Sequence, residues 1–379
     1  MTTGERLANH GSIADIAAMR RSVSVVPVVL VIALAYLAAW PVPVAPVAWV
    51  APADPGHAGV FSPDSSLADF TALPLGGREG PESVAQDSAG RLYVSTRDGA
   101  ILRFAADAGE GAAPEVWANT GGRPLGLAFD PAGTLFVTDG KRGLLAIDTA
   151  GTVRLLADSA DGTRIEFADD LDVAANGKIY FSDASTKFGV RAQSDEDASL
   201  LDVIEHGGHG RLLEWDPATG RATVVVVGID FANGVAMTPD QQSVLLCETG
   251  HYRILRIGVV GEVRGLVTPV LEALPGFPDN ISRAGVDKYW VALFAPRNAL
   301  LDRLAGSPSL RKVLLRIPRA LRPKAEGYGH IIAIDADGKV LDDRQDPSGS
   351  YPKMTDVLET HRYLYIGSLQ GGVLARVRR

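Results

Sequence analysis

Hydrophobic and polar residues alternate with a period of two from about Phe61 to the end of the chain, which is the pattern of half-buried β-strands. A second apolar run usually follows each main one. Sheets of about four strands repeated around an axis predict an all-β six-bladed β-propeller with four-stranded blades over residues 61–379. The six main runs are RLYVST (91–96), TLFVTD (134–139), KIYFSD (178–183), SVLLCE (243–248), KYWVAL (288–293) and YLYIGS (363–368).

One position in each repeat precedes the strand core by ten to twelve residues and falls where the innermost strand of a blade lines the central channel. The six residues at this position are Glu82, Leu125, Asp169, Asn233, Asp279 and Thr355. Confined carboxylates raise one another's pKa or require a cation, and oxygen ligands favour calcium over zinc. Any one of these residues alone is typical of an ordinary turn, but four oxygen-bearing side chains in register predict a metal site.

The N-terminal part of the chain has a different pattern. Residues 23–40 carry no charge and are strongly apolar, and Arg20 and Arg21 precede them. This predicts a cytoplasmic segment at 1–21, a transmembrane signal anchor at 22–40 and a propeller outside the cytoplasmic membrane. A cleaved signal peptide is the alternative. The proline-rich residues 41–60 predict a stiff, extended spacer.

Two spacings between repeats are long, which predicts insertions near 187–208 and 298–326. The second has leucines at helical spacing and predicts a helical cap. Its basic residues lie within 303–324. They favour a helix that lies on the lipid surface or caps a pocket, and the alternative is a helix with a solvated basic face. They are Arg303, Arg311, Lys312, Arg316, Arg319, Arg322 and Lys324.

Composition excludes several classes of function. The net charge of −8 gives no basis for nucleic-acid binding. The single cysteine, Cys247, excludes an intrachain disulfide and a cysteine zinc site, and its apolar setting predicts a buried strand. No Gly-x-Ser-x-Gly elbow or P-loop occurs. His206 and His209 lie in a glycine-rich stretch and His251 in a hairpin turn, so we expect all three at the surface.

Several motifs, in this order and spacing, resemble the strictosidine synthase-like proteins, and most closely the membrane-anchored, adipocyte plasma-membrane-associated type. The wider superfamily includes paraoxonases, gluconolactonases, regucalcin and diisopropyl-fluorophosphatase, which are six-bladed propellers with a calcium ion in the channel. The resemblance covers roughly residues 70–379. The motifs are GRPLG (122–126), FADDLDVAANGKIYFSDASTKF (167–188), GRLLEWDPATG (210–220), FANGVAMTPD (231–240), GFPDNI (276–281) and YIGSL (365–369).

Position by position, the resemblance implies calcium ligands at Glu82, Asn233 and Asp279, with Asn280 beside them. The fourth ligand is usually an asparagine in this family, whereas this chain has Asp169. The extra carboxylate predicts tighter calcium binding and a weaker Lewis acid. Asp279, with Asn280 as its neighbour, is the candidate catalytic group, acting as nucleophile or base toward water.

Three departures from related proteins narrow the expected activity. Thr355 stands where strictosidine synthase has its catalytic glutamate, which disfavours a condensing enzyme of that type. Leu125 stands where paraoxonases have a channel histidine. Ser83 replaces the acid that holds their second calcium, so one calcium site is expected.

The sequence therefore predicts a membrane-anchored, calcium-dependent hydrolase of esters or lactones, of the arylesterase or lactonase kind. The calcium ion would polarise the carbonyl group of a small-molecule substrate. The alternative is a non-catalytic propeller that calcium stabilises and that binds a ligand or partner, because this fold hosts many functions.

Overall fold

The computed structural model describes residues 13–322 and 326–379, with side chains from residue 25 onward. Six four-stranded antiparallel sheets form the blades of a propeller, which confirms the predicted fold class. In blades 1 to 5 the strands run outward in chain order.

The first three blades comprise these strands: β2 (Val84–Gln86), β3 (Leu92–Ser95), β4 (Ala100–Phe104) and β5 (Glu115–Asn119) in blade 1; β6 (Pro124–Phe129), β7 (Leu135–Asp139), β8 (Gly143–Ile147) and β9 (Val153–Ala157) in blade 2; and β12 (Ala168–Val173), β13 (Ile179–Asp183), β14 (Gly210–Asp216) and β15 (Arg221–Ile229) in blade 3. A small hairpin precedes blade 3, formed by β10 (Ser159–Ala160) and β11 (Thr163–Arg164).

The last three blades comprise these strands: β16 (Ala232–Met237), β17 (Ser243–Glu248), β18 (Arg253–Gly258) and β19 (Val267–Leu271) in blade 4; β20 (Gly276–Arg283), β21 (Tyr289–Pro296), β22 (Gly329–Ile334) and β23 (Val340–Asp346) in blade 5; and β24 (Met354–Glu359), β25 (Tyr363–Ser368) and β26 (Val373–Arg378), completed by β1 (Thr71–Pro74), in blade 6.

The ring closes through strands from the two ends of the propeller. β1 pairs with β26, from Thr71 opposite Arg376 to Pro74 opposite Val373. Leu73 and Leu374 are fully buried in the apolar layer between blades 6 and 1. Similar layers fill the spaces between neighbouring blades, and Cys247 lies buried in one of them, as predicted.

An irregularity of the β-bulge type interrupts the inner strand of blades 2 to 6 at the channel position. The register shifts lie between Pro124 and Leu127, Ala168 and Leu171, Ala232 and Val235, Pro278 and Ile281, and Met354 and Val357. A bulge re-aims side chains and bends its strand. In each of these five strands, the two residues within the bulge therefore do not follow the regular alternation of side chains between the two faces of the sheet.

Helices occupy both insertions, although the sequence predicted them only for the second. They are α2 (Asp195–Glu205), α3 (Ala299–Arg303) and α4 (Pro308–Arg316), followed by the 3-10 helix Arg319–Leu321. Three further 3-10 helices span Gly59–Phe61, Thr249–His251 and Gly261–Val263.

The proline-rich segment lies across this cap and does not extend freely into solvent. Val47 donates its N–H to Glu205 O, and Trp49 donates its N–H to Ala305 O. The buried guanidinium of Arg311 donates to the carbonyls of Ile204 and Val47. These bonds join the cap helices and residues 41–52 into one unit.

Helix α1 (Ile13–Ala39) begins well before the predicted anchor, and Pro27 lies in its interior. Arg316 donates to the carbonyls of Leu37 and Trp40 at the end of α1. Among the residues whose placement is described, no helix is both long enough and apolar enough to cross a membrane. The predicted transmembrane helix at 22–40 is therefore not confirmed, and most of the predicted 1–21 segment lies outside the described residues.

Candidate functional site

A cavity of about 880 Å³ lies between the inner strands of the propeller and the cap helices. Glu82, Leu125, Asp169, Asn233 and Asp279 line it. Five of the six channel positions identified in the sequence therefore meet at one site. The sixth, Thr355, is buried beside it and donates its hydroxyl to Glu82 O at 2.6 Å, so Thr355 supports the backbone of the site.

The four oxygen-bearing side chains are deeply buried: Glu82 is 3% exposed, Asp169 5%, Asn233 4% and Asp279 6%. Asp169, Asn233 and Asp279 are each the first residue of a bulge pair on an inner strand. The second residue of the pair packs closely against a neighbouring strand. At Gly234 there is no room for a side chain, because a Cβ atom would lie 2.4 Å from Ile281 N.

The second residues Asp170 and Asp356 bind the next blade. Asp170 Oδ2 accepts from Val235 N at 2.9 Å, and Asp356 Oδ2 accepts from Val84 N at 3.0 Å. Asn280 holds the equivalent place after Asp279. It is buried beside the site, but it is not part of the cavity wall. The structure therefore brings Asn280 next to the predicted site without exposing it to a substrate in the cavity.

Arg123 is a member of the site that the sequence analysis missed. Its guanidinium is buried and lies between two carboxylates: Nη2 donates to Glu82 Oε2 at 2.9 Å and Nε to Asp195 Oδ2 at 2.8 Å. Asp195 is the first residue of α2 in the cap. Arg123 lies two positions before Leu125, outside the repeated phase, so periodicity gave no signal for it. Asp195 lies in the insertion near 187–208, outside the repeated phase as well.

The carboxylates destabilise one another's charged forms. Burial raises the pKa of Glu82 to about 7, although the Arg123 guanidinium opposes this rise. Burial, together with the charge of Glu82, raises the pKa of Asp169 well above its usual range. The pKa of Asp279 rises for the same reasons, with Asp169 adding to the repulsion. A cation placed between these groups would relieve both the desolvation and the repulsion.

Unpartnered polar atoms indicate that the site suits a hard cation. Within the described part of the chain, Asn233 Oδ1 and both amide atoms of Asn280 are buried without a hydrogen-bond partner. Such atoms are costly unless something satisfies them. Three carboxylates and amide oxygens are the ligand set that calcium prefers. In chemical type, the side chains of Glu82, Asp169, Asn233 and Asp279 therefore suit a calcium ion, with Asn280 nearby. The carboxylate oxygens of Glu82, Asp169 and Asp279 do not all lie within 4.8 Å of one another, so these side chains must draw together around an ion.

The rest of the cavity wall is largely apolar. Phe167, Phe231, Phe277 and Phe294 line the cavity together with Leu125 and leucines of the cap. Charged side chains from several segments also line it; they include Glu196, Arg319, Arg322 and Lys353. The site can hold an organic molecule with an apolar body against the phenylalanines and a polar group against the carboxylates.

Family models match this chain in two regions: strictosidine synthase at residues 169–262, and the N-terminal part of the strictosidine synthase-like family at residues 59–104. The adipocyte plasma membrane-associated protein of Salmo salar is 32% identical over 349 residues, which are 85% of this chain and 81% of that protein.

Solved structures with the same fold include the following two. A gluconolactonase from Xanthomonas campestris matches with a TM-score of 0.60 at 18% identity, covering 88% of this chain and 98% of the other. A calcium-binding regucalcin from Agrobacterium tumefaciens matches with a TM-score of 0.54 at 15% identity, covering 81% and 93%. From its sequence relatives, the chain belongs to the strictosidine synthase-like family, together with the adipocyte plasma membrane-associated proteins.

Proposed function

We propose that the protein is a calcium-dependent hydrolase of esters or lactones. The observation that carries this proposal is the convergence of Glu82, Asp169, Asn233 and Asp279 at the base of a large, mainly apolar cavity. The gluconolactonase and regucalcin folds support it by analogy. When bound, calcium would supply a Lewis acid for the substrate carbonyl.

The chain's own residues would do the remaining work. The phenylalanine-lined wall would bind the apolar part of the substrate and exclude water from the reacting group. Asp279 would take a proton from the attacking water, because it lines the cavity and has no arginine partner of the kind that Glu82 has. Asp169 shares both features and would serve as a calcium ligand. Asn280 would position Asp279 through the shared bulge, since it lies outside the cavity wall.

The test uses the full-length purified protein and a panel of aryl esters and lactones, with and without a calcium chelator. The wild type is compared with the double variant Glu82→Gln, Asp279→Asn and with Asp337→Asn, a control at an exposed carboxylate. We expect turnover that the chelator abolishes, that the double variant lacks and that the control keeps. Turnover that survives full chelation contradicts the mechanism. Calcium binding without turnover on any substrate favours the non-catalytic binding function.

We also propose that the protein associates with a membrane through α1, with the propeller outside the cytoplasm. Side chains from Val25 to Leu34 are mostly apolar and more than half exposed, so this stretch of α1 leaves its apolar surface uncovered by the propeller. The relative from Salmo salar is itself named as plasma membrane-associated.

Flotation of the full-length protein with anionic vesicles tests this second proposal. The variant Val29→Asp, Ile32→Asp should lose most of the bound fraction, whereas Val286→Asp, at an exposed apolar residue of the propeller, should keep it. Equal flotation of all three proteins would contradict a role for α1. A periplasmic reporter fused to the C-terminus, active in intact cells, tests the proposed orientation.

A further inference from the structure

A second cluster of potential metal ligands lies outside the cavity wall, between blades 3 and 4. His206 is the C-cap residue of α2, Asp230 lies between β15 and β16, and His251 ends the 3-10 helix after β17. His206 is only 4% exposed, so the expectation of a surface histidine is wrong. The reason is that Trp49, from the proline-rich segment, stacks on its ring at 4.0 Å with an interplanar angle of 12°.

The three side chains point their polar atoms at one another. His206 Nε2 lies 3.3 Å from His251 Nε2 and 3.4 Å from Asp230 Oδ2. His251 Nδ1 lies 3.1 Å from Asp230 Oδ2. Zinc bonds of about 2.0–2.1 Å place two ligand atoms of a tetrahedron about 3.3–3.4 Å apart. Both spacings from His206 Nε2 thus match a tetrahedral ion, and one ligand atom from each of the three residues lies within 4.8 Å of the other two.

Surrounding groups hold the cluster in this arrangement. Asp230 Oδ1 accepts from Gly208 N at 2.6 Å, which leaves Oδ2 directed at the histidines. Glu248 Oε1 accepts from Asp230 N at 2.9 Å and lies 3.4 Å from His251 Nδ1. A carboxylate that orients a histidine in this way is a common feature around protein metal ions.

Protonation favours a ligand role for His206 and opposes one for His251. Burial lowers the pKa of His206 to about 4, so its ring is neutral and offers a lone pair at neutral pH. Burial also opposes the charged form of His251, but Asp230 and Glu248 raise its pKa to about 9, so a metal ion must displace a proton from this ring. Among the described residues, His206 Nδ1 and His251 Nδ1 are both buried without a hydrogen-bond partner. The geometry of the cluster, and not its protonation, therefore carries the ligand role.

We propose that His206, Asp230 and His251 bind a divalent transition-metal ion, zinc in the first instance, at a site separate from the oxygen-rich channel. Two imidazoles and one carboxylate are ligands that suit zinc, whereas the channel offers oxygen alone. The three residues come from the cap and from two loops at blade 4. The ion would thus fasten the C-terminal end of α2 to the propeller.

Metal-stripped full-length protein is titrated with Co²⁺, whose visible spectrum reports coordination geometry, and with Zn²⁺ by calorimetry. The wild type should bind one equivalent of zinc, and its cobalt form should give the intense visible spectrum of tetrahedral cobalt. An excess of calcium should change neither the zinc binding nor the cobalt spectrum. His251→Gln should weaken zinc binding at least a hundredfold, as should His206→Ala. The control His361→Gln, at an exposed histidine, should bind like the wild type.

Thermal unfolding of each metal-free variant establishes that it is folded, and His251→Gln, at the more exposed position, remains informative if His206→Ala fails to fold. Two results would overturn the proposal. One is folded wild-type protein that binds no zinc, which would make the cluster a hydrogen-bonded histidine pair without a metal. The other is zinc binding that His251→Gln leaves unchanged.

Discussion

The guanidinium of Arg123 is bound to Glu82 at 2.9 Å in the wall of the channel. An internal cation thus already engages one of the carboxylates that a calcium ion would use. This chain also carries Asp169 at the position where the family that it resembles usually has an asparagine. The extra negative charge of Asp169 offsets the positive charge that Arg123 brings. The charge balance of the site is therefore set by at least four side chains, not by the ligands alone.

Arg123→Met should bind calcium more tightly, because the guanidinium no longer competes for Glu82 or repels the ion. We expect an increase of about tenfold in affinity, which corresponds to about 1.4 kcal/mol. The metal-free variant should lose about 3–5 kcal/mol of stability, since Glu82 and Asp195 remain buried without their partner. Calorimetry and denaturant unfolding measure the two effects. Arg91→Met, which removes an exposed ion pair, is the control. Unchanged or weaker calcium binding in Arg123→Met would contradict competition between Arg123 and calcium for Glu82.

Asp169→Asn should have opposite effects with and without calcium. Its affinity for calcium should fall about tenfold or more, because ligand charge tunes calcium affinity. The metal-free variant should be more stable than the wild type, because burial and the charge of Glu82 raise the pKa of Asp169. Calorimetry and thermal unfolding of both forms test this, with Asp337→Asn as the control. An affinity equal to or higher than that of the wild type would refute it.

The stability of the metal-free protein should depend on pH through Glu82. The pKa of Glu82 is raised from 4.5 to about 7 in the folded state, so the folded protein binds more protons than the unfolded chain between these values. The contribution of Glu82 is therefore fully present below about pH 4.5 and is lost as the pH rises to about 7. It is on the order of 3 kcal/mol.

Unfolding in urea from pH 4.5 to 8 measures this loss as the difference between the wild type and Glu82→Gln. Other buried acids titrate in both proteins and largely cancel in that difference. Saturating calcium should flatten the difference, because the bound ion favours the ionised carboxylate. A metal-free difference that is already flat across this range would show that Arg123 keeps Glu82 ionised throughout.

Gly234→Ala should disrupt the site without changing a ligand. A Cβ atom there would lie 2.4 Å from Ile281 N and 2.7 Å from Asn280 Cα, so strands β16 and β20 must separate. We expect a loss of about 1–3 kcal/mol of stability from overpacking and weaker calcium binding, since Asn233 shares the bulge. Gly306→Ala, which meets no atom within 4 Å, should change neither quantity. A variant that binds calcium normally would mean that the bulge does not position Asn233.

The sequence predicted the parts of this structure that repeat. Period-two alternation located the strand cores, and the common phase of Glu82, Asp169, Asn233 and Asp279 predicted that they would meet. Both inferences rest on local pattern and on the symmetry of a ring, which need no knowledge of long-range contacts. The insertions were visible for the same reason, as departures from the repeat.

The parts that the sequence did not predict depend on contacts between distant segments. Arg123 joins the channel to Asp195, 72 residues away along the chain. His206 is buried where Trp49 crosses the cap and stacks on its ring. Neither contact leaves a periodic signal, and a glycine-rich neighbourhood normally indicates a surface loop. The bulges, which direct the ligands, arise from packing between inner strands and were equally hidden.

The pairing of β1 with β26 has a consequence for how the protein is made. Its last blade takes three strands from the C-terminal end and one from near residue 71. During synthesis, the first strand must therefore wait, unpaired, until almost the whole chain has left the ribosome. A product that ends before Val373 lacks its partner strand and leaves β25 with an open edge, which is a template for aggregation. The unpaired edges of β1 and β25 therefore distinguish an incomplete chain from a complete one.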